Sequence, residues 1–217
     1  GHMDSLVLVD TFGVCTPEAI RYFTRKVREK INKPIEAHFH NDFGLATANT
    51  LAAVCEGAEI VHTTVNAIGE RMGNADLAEV AVAIEALYGF KLNLKYDKLY
   101  ELSKLVEKAS GIKMPPHKPV VGDGAFKTES GIIAGWWYRL REANMPLVML
   151  PYSWDLVGQK GVEVLLGKKS GRDSVVNKLK SLGITPSEEK INKVLEQVKE
   201  ESVKRKSLSE LFLSLQT

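Results

Sequence analysis

The sequence is poor in the features that would direct a protein to a membrane, an oxidising compartment or a nucleic acid. No apolar run approaches the roughly 20 residues that a bilayer-spanning helix needs, and no charged-then-apolar leader opens the chain. Its 2 cysteines, Cys15 and Cys55, are too far apart for a C-x-x-C spacing and sit among apolar or small residues, so reduced, buried thiols are expected. Together these absences point to a cytoplasmic setting without a membrane partner. The formal charge is only +2, with Lys and Arg mixed among Asp and Glu rather than gathered in a stripe, so no nucleic-acid partner is expected.

The composition is that of an ordinary globular chain. Hydrophobic residues make up 44% and charged residues 26%, which argues against disorder, and 217 residues suffice for one large domain or two small ones. Residues 1–3, Gly-His-Met, read as the remnant of a removed tag, so the natural sequence is expected from Asp4 onward.

Three repeats of one pattern follow. Residues 5–10 form a β-prone apolar run, after which Thr16 and Pro17 supply an N-cap and a first-turn proline for a helix over about 17–31. A second strand, Ile35 to Phe39, leads to a small-residue helix from about Leu45 to Cys55. A third, Glu59 to Val65, leads through a glycine-rich loop to a helix over about Asp76–Leu87. Strands alternating with amphipathic helices at this spacing predict right-handed βαβ units on a parallel sheet. Beyond Gly89 the alternation stops. Helices are expected at about 96–109, 128–142, 172–182 and 187–205, the last capped by Thr185-Pro186-Ser187, with a possible strand at Val162–Leu166 and a Leu-rich segment, Leu208 to Leu215, closing the chain. The expected division is residues 4–92 for the α/β part and 93–217 for a mainly helical lobe.

In parallel α/β architectures ligands bind beyond the carboxyl ends of the strands. Every polar cluster of the first part falls there: Asp10 and Thr11, then His38 and His40, then Asn66 to Asn74. His38 and His40 are two apart on a strand, which puts both imidazoles on one face, where they could share a divalent cation or simply hydrogen-bond within a polar strand end. Asp42 and Asp76 read as helix caps, His62 as a core histidine, and His117 as structural.

Longer motifs surround these residues: Ala-His-Phe-His-Asn-Asp-Phe-Gly-Leu-Ala-Thr-Ala-Asn at 37–49, Asn-Ala-Ile-Gly-Glu-Arg-Met-Gly-Asn at 66–74, and Asp-Thr-Phe-Gly at 10–13 with Pro17. They resemble strands seven, eight and six of the pyruvate-carboxyltransferase-like, or DRE-TIM, metal-dependent family. The G-E-R-x-G-N loop is similar to that of its condensing branch, the homocitrate, isopropylmalate and citramalate synthases, rather than the hydroxymethylglutaryl-CoA lyases. The fold implied by the resemblance is a partial (β/α)8 TIM barrel, strands six to eight with their helices, followed by the helical lobe. His38 and His40 would then be ligands of a divalent metal (zinc, manganese, magnesium or cobalt), with Asn74 at or near a further ligand position. Thr11 would contact the carboxylate of a 2-oxoacid, while Glu70 and Arg71 would organise the loop beside the metal, Glu70 as an acid or base. The chemistry implied is a Claisen-type condensation, in which the metal polarises the ketone, a base takes a proton from acetyl-CoA, the enolate attacks, and thioester hydrolysis follows.

The family's first strand carries an Arg-Asp pair, but the match here begins at strand six. A three-stranded remnant cannot close, so the resemblance implies a fragment that is inactive alone, binds metal weakly or not at all, and has edges to cover, with a homodimer expected. Residues 122–133, Gly-Asp-Gly-Ala-Phe-Lys-Thr-Glu-Ser-Gly-Ile-Ile, resemble G-x-x-A-F-x-H-x-S-G-I-H with Thr128 and Ile133 in place of both histidines. Gly167-Lys-Lys-Ser-Gly-Arg172 resembles G-K-x-S-G-R, with Lys169 where histidine is common, and Trp136, Trp137 and Tyr138 read as core or interface. An aldolase or lyase on the same scaffold, or a non-catalytic assembly module, stands beside the synthase as an alternative.

Overall fold

A computed structural model of the protein describes residues 2–185 and 187–214, with side chains through Val203. The chain is α/β and divides into two compact units, one of Gly1–Ala125 with Asp155–Gln159 and one of Phe126–Trp154 with Lys160–Thr217. Residue 92, where the sequence pattern changes, lies inside the first.

The first unit is built on a parallel sheet in which β1 (Leu6–Asp10) pairs with β2 (Ile35–Phe39) and β2 with the short β3 (Ile60–Val61). The helices α1 (Pro17–Arg28), α2 (Ala46–Cys55) and α3 (Leu77–Tyr88) follow the strands in turn, and α4 (Leu99–Ser110) comes after them. Alternation decides which face of β2 is buried: Ile35, Ala37 and Phe39 are 0%, 0% and 1% exposed and form the core with Leu8, Ile20, Ala53, Val80 and Ile84. Burying a side chain the size of Ile35 or Phe39 is worth about 1.5–3 kcal/mol. Helix α2 packs closely because Ala46, Asn49, Thr50, Ala52 and Ala53 are small enough to approach the core. Thr16 caps α1 through its hydroxyl and Asp76 caps α3, accepting from the amides of Ala78 and Glu79.

The third strand is shorter than the apolar run Glu59–Val65 predicts. Past Val61 the chain turns to serve the following loop: the amide of Thr64 donates to the carbonyl of Ala75 at 3.0 Å, and Thr64 forms an isolated bridge with Asp76.

In the second unit β4 (Lys127–Thr128) pairs in parallel with β5 (Glu163–Val164), so the helix expected from about residue 128 starts later, as α5 (Gly131–Glu142). The helices α6 (Arg172–Ser181) and α7 (Glu188–Ser214) follow, with Val175, Leu179 and Ile191 as their shared core. Helix α7 is longer than the expected 187–205; its start is pinned by the Arg172 guanidinium on the Glu188 carboxylate, and Ser187 accepts from the Lys190 amide. Pro186, Leu215 and the side chains of the Leu-rich end lie outside the described residues. Trp137 is buried edge-on against Trp154, with ring centroids 5.8 Å apart. Among the described residues no helix is long and apolar enough to cross a membrane.

Candidate functional site

The face of β2 opposite its apolar residues carries Glu36, His38 and, at its end, His40, because side chains two apart on a strand share a side. The rings of His38 and His40 have centroids 5.3 Å apart. Asp10 belongs to the other face: its carboxylate accepts from the amides of Val14 and Cys15 and shapes the turn into α1. Burial and the neighbouring Asp10 push the Cys15 thiol up, so it is a poor nucleophile.

The loop after β3 brings Asn74 to these histidines. Its course is unusual, since Asn66, Ala67 and Arg71 all take left-handed backbone angles, φ 62°, 57° and 55°, which cost non-glycine residues about 1–2 kcal/mol each. The strain is held by packing and hydrogen bonds. Buried Asn66 is clasped by α4, accepting from the Ser103 hydroxyl at 2.5 Å and donating to the Ser103 carbonyl at 3.0 Å. The Gly73 amide closes a turn on the Glu70 carbonyl at 2.9 Å, and the Asn74 amide returns to the Ala67 carbonyl at 3.2 Å. The Asn41 amide donates to the Gly73 carbonyl, and His40 and Asn74 form an isolated bridge. Only glycine fits at two points: a methyl on Gly73 would overlap the Ala67 carbonyl oxygen, and one on Gly69 would overlap the Asn74 side-chain oxygen.

His38, His40 and Asn74 are therefore brought together. His38 Nε2 lies 3.4 Å from the Asn74 amide nitrogen, and His40 and Asn74 are only 9% and 7% exposed. Burial, then the neighbouring His40 and His62 rings, hold the His38 imidazole below its ordinary pKa and favour the neutral form that can offer a lone pair. His40 Nδ1 is buried with no hydrogen-bond partner. Such an orphan, beside a second imidazole and a side-chain amide, fits a cation that takes nitrogen and oxygen donors. Among the described residues no group of three or more His, Cys, Asp or Glu is placed to hold a metal ion, so a complete coordination shell would need a donor beyond these three side chains.

Three other residues read from the sequence lie at the rim. Arg71 donates to both Asp42 oxygens, at 2.8 and 3.0 Å, and to the carbonyl of exposed Thr11 at 2.5 Å, with its guanidinium 5.8 Å from the Phe12 ring centroid. Glu70 is exposed on the same turn. The paired guanidinium holds the Asp42 carboxyl below its usual range. Asp42 is thus not the helix cap expected from the sequence; the N-cap position of α2 is Leu45, and Asn41 supports the turn before it, its side-chain oxygen accepting from the Ala46 amide at 3.1 Å.

His62 was expected in the core and is not there. Its side chain is 38% exposed, with Nε2 at 2.7 Å from Glu36 and Nδ1 at 3.2 Å from His38 Nδ1. The signal lay in strand parity, since Glu36 pairs with Ile60 and two residues further each strand carries a histidine on that same face. Within the second unit the two motif segments touch: the Gly131 amide donates to the Lys169 carbonyl and the Lys169 amide to the Glu129 carboxylate. Thr128 lies in β4 and Ile133, half-buried, in α5.

The HMGL-like family model matches residues 3–106. A probable 2-isopropylmalate synthase of Archaeoglobus fulgidus is 44% identical over 211 residues, covering 97% of this chain and 41% of that protein. An (R)-citramalate synthase of Methanocaldococcus jannaschii is 43% identical over 197 residues, covering 91% and 39%. A homocitrate synthase of Methanopyrus kandleri is 44% identical over 196 residues, covering 90% and 48%. The chain spans less than half the length of each of these relatives.

Proposed function

We propose that the chain belongs, through residues 3–106, to the HMGL-like family and is the C-terminal portion of a synthase condensing acetyl-CoA with a 2-oxoacid. The observation that carries this reading is the convergence of His38, His40 and Asn74 at the carboxyl end of a parallel sheet, with one buried imidazole nitrogen left without a partner. In this reading β1, β2 and β3 are strands six to eight of a (β/α)8 barrel, and a helical lobe follows. A divalent cation (zinc, manganese, magnesium or cobalt) held by His38, His40 and Asn74 would polarise the ketone of the 2-oxoacid.

The chain's own residues would do the rest of the positioning. Thr11, exposed at the end of β1, is placed to meet the substrate carboxylate. Arg71 is tied to Asp42 and to the Thr11 backbone, so it fixes the loop against the end of β1, and exposed Glu70 beside it is the acid or base candidate. The face that bears the histidines also exposes Val7 and Val9, 39% and 50%, and β1 is an edge strand. An open apolar face and edge need covering, by further strands of the parent and by a second copy in a homodimer. Residues 1–217 alone are expected to be inactive.

The test is thiol release from acetyl-CoA by the full-length protein, in the cytoplasmic host fraction or purified, against a panel of 2-oxoacids. Release with one of them supports the synthase. A second reading, an aldolase or lyase on the same scaffold, is favoured by Ile133, which cannot transfer a proton, and Thr128 at positions where the motif has histidine; cleavage of a 4-hydroxy-2-oxoacid without thiol release would select it.

A further inference from the structure

Glu36 and His62 form a hydrogen-bond chain behind His38 that the metal-site motifs leave unexplained. The Ser5 hydroxyl donates to one oxygen of Glu36, and the other lies 2.7 Å from His62 Nε2. His62 Nδ1 lies 3.2 Å from His38 Nδ1, and His38 Nε2 faces the Asn74 amide at 3.4 Å. The pairing is built into the sheet: the His62 amide donates to the Ala37 carbonyl at 2.9 Å, carrying the β2–β3 register one residue beyond Val61.

We infer that Glu36 and His62 are positioning residues that fix the tautomer of His38, keeping its Nδ1 protonated and its Nε2 lone pair bare toward Asn74. An ionised carboxylate only accepts, so His62 must carry its proton on Nε2. A neutral His62 then has only a lone pair at Nδ1. The short contact between the two Nδ1 atoms is a hydrogen bond only if His38 supplies the proton, and Nε2 of His38 is left as the bare nitrogen. The reverse polarity, with a proton on both nitrogens of His62, would place the His38 proton on Nε2 and close that atom to any cation. Metal-binding histidines ordinarily donate their second N–H to a carboxylate or carbonyl, which fixes the ring and raises its basicity. Here the carboxylate acts one imidazole further back. The consequence for a cation rests on the function proposed above; the tautomer does not.

Imidazole nitrogen-15 shifts of residues 1–217, recorded without metal at pH 8, test this directly. The expected result is His38 protonated at Nδ1 and His62 at Nε2, with the His38 preference lost in His62→Phe and recovered in His62→Gln, whose amide oxygen can accept the same proton. A His38 proton on Nε2 in the unaltered chain, or a Nδ1–H form that survives in His62→Phe, would overturn the inference. Because the His62 side chain is 38% exposed, its replacement leaves the core intact. Zinc added to the full-length protein separates the two levels: a shift at His38 Nε2 supports both, whereas an intact tautomer with no zinc response overturns the cation reading and leaves the hydrogen-bond chain standing. In the full-length protein His62→Phe is expected to weaken zinc binding ~10–100-fold.

Discussion

Gly73→Ala is expected to lower the stability of the first unit by roughly 2–4 kcal/mol and to displace Asn74 from His38. Two costs add. The backbone at Gly73 has φ +85°, which an alanine adopts only at a penalty of about 1–2 kcal/mol. The new methyl would also overlap the Ala67 carbonyl oxygen, the atom that accepts the Asn74 amide, and backbone on either side cannot yield without breaking that bond or the Asn41–Gly73 bond. Gly89→Ala is the control, since it has φ +73° and open space around its Cβ, so it meets the angular cost alone. Urea midpoints of the two variants should differ, with Gly73→Ala clearly the lower. Equal losses would mean that the loop yields easily and that its shape is not what holds Asn74.

His40→Ala separates chemistry from folding in the opposite way. The His40 side chain is 9% exposed, and its Nδ1 has no hydrogen-bond partner, while its amide bond to the Asp10 carbonyl is main chain and survives substitution. The fold is expected to lose only about 1 kcal/mol. Activity is another matter: a Lewis-acid contribution of several kcal/mol, at 1.36 kcal/mol per tenfold, makes the expected fall in kcat/KM for thiol release at least ~1,000-fold in the full-length protein. An active His40→Ala enzyme would remove His40 from the site. A variant that unfolds would make the residue structural.

What the sequence showed and hid follows from the range of each interaction. Thr16 and Pro17 start α1, and Asp76 starts α3, because capping is decided within a few residues. The two faces of β2 were legible from alternation alone, as was the approach of His38 to His40. Asp42 was misread because its partner, Arg71, is 29 residues away, while the adjacent Asn41 accepts from the first amide of α2. His62 was misread for a similar reason, since an apolar run suggests a core position and only the parallel register reveals that it faces Glu36 and His38. The third strand stopped early because Thr64 is taken by Ala75 and Asp76, a pairing that no local propensity contains. In the second unit a two-residue strand displaced the start of α5, and strands of that length carry too few residues for a period to show.

The joint claim of His38, His40 and Asn74 on one cation is tested most directly by anomalous diffraction from crystals of the full-length protein grown with cobalt. The expected result is a single peak within bonding reach of all three side chains, roughly 2.0–2.2 Å from an imidazole nitrogen of each histidine. A catalytically active crystal form whose only peak lies elsewhere, bounded by other residues, would contradict it.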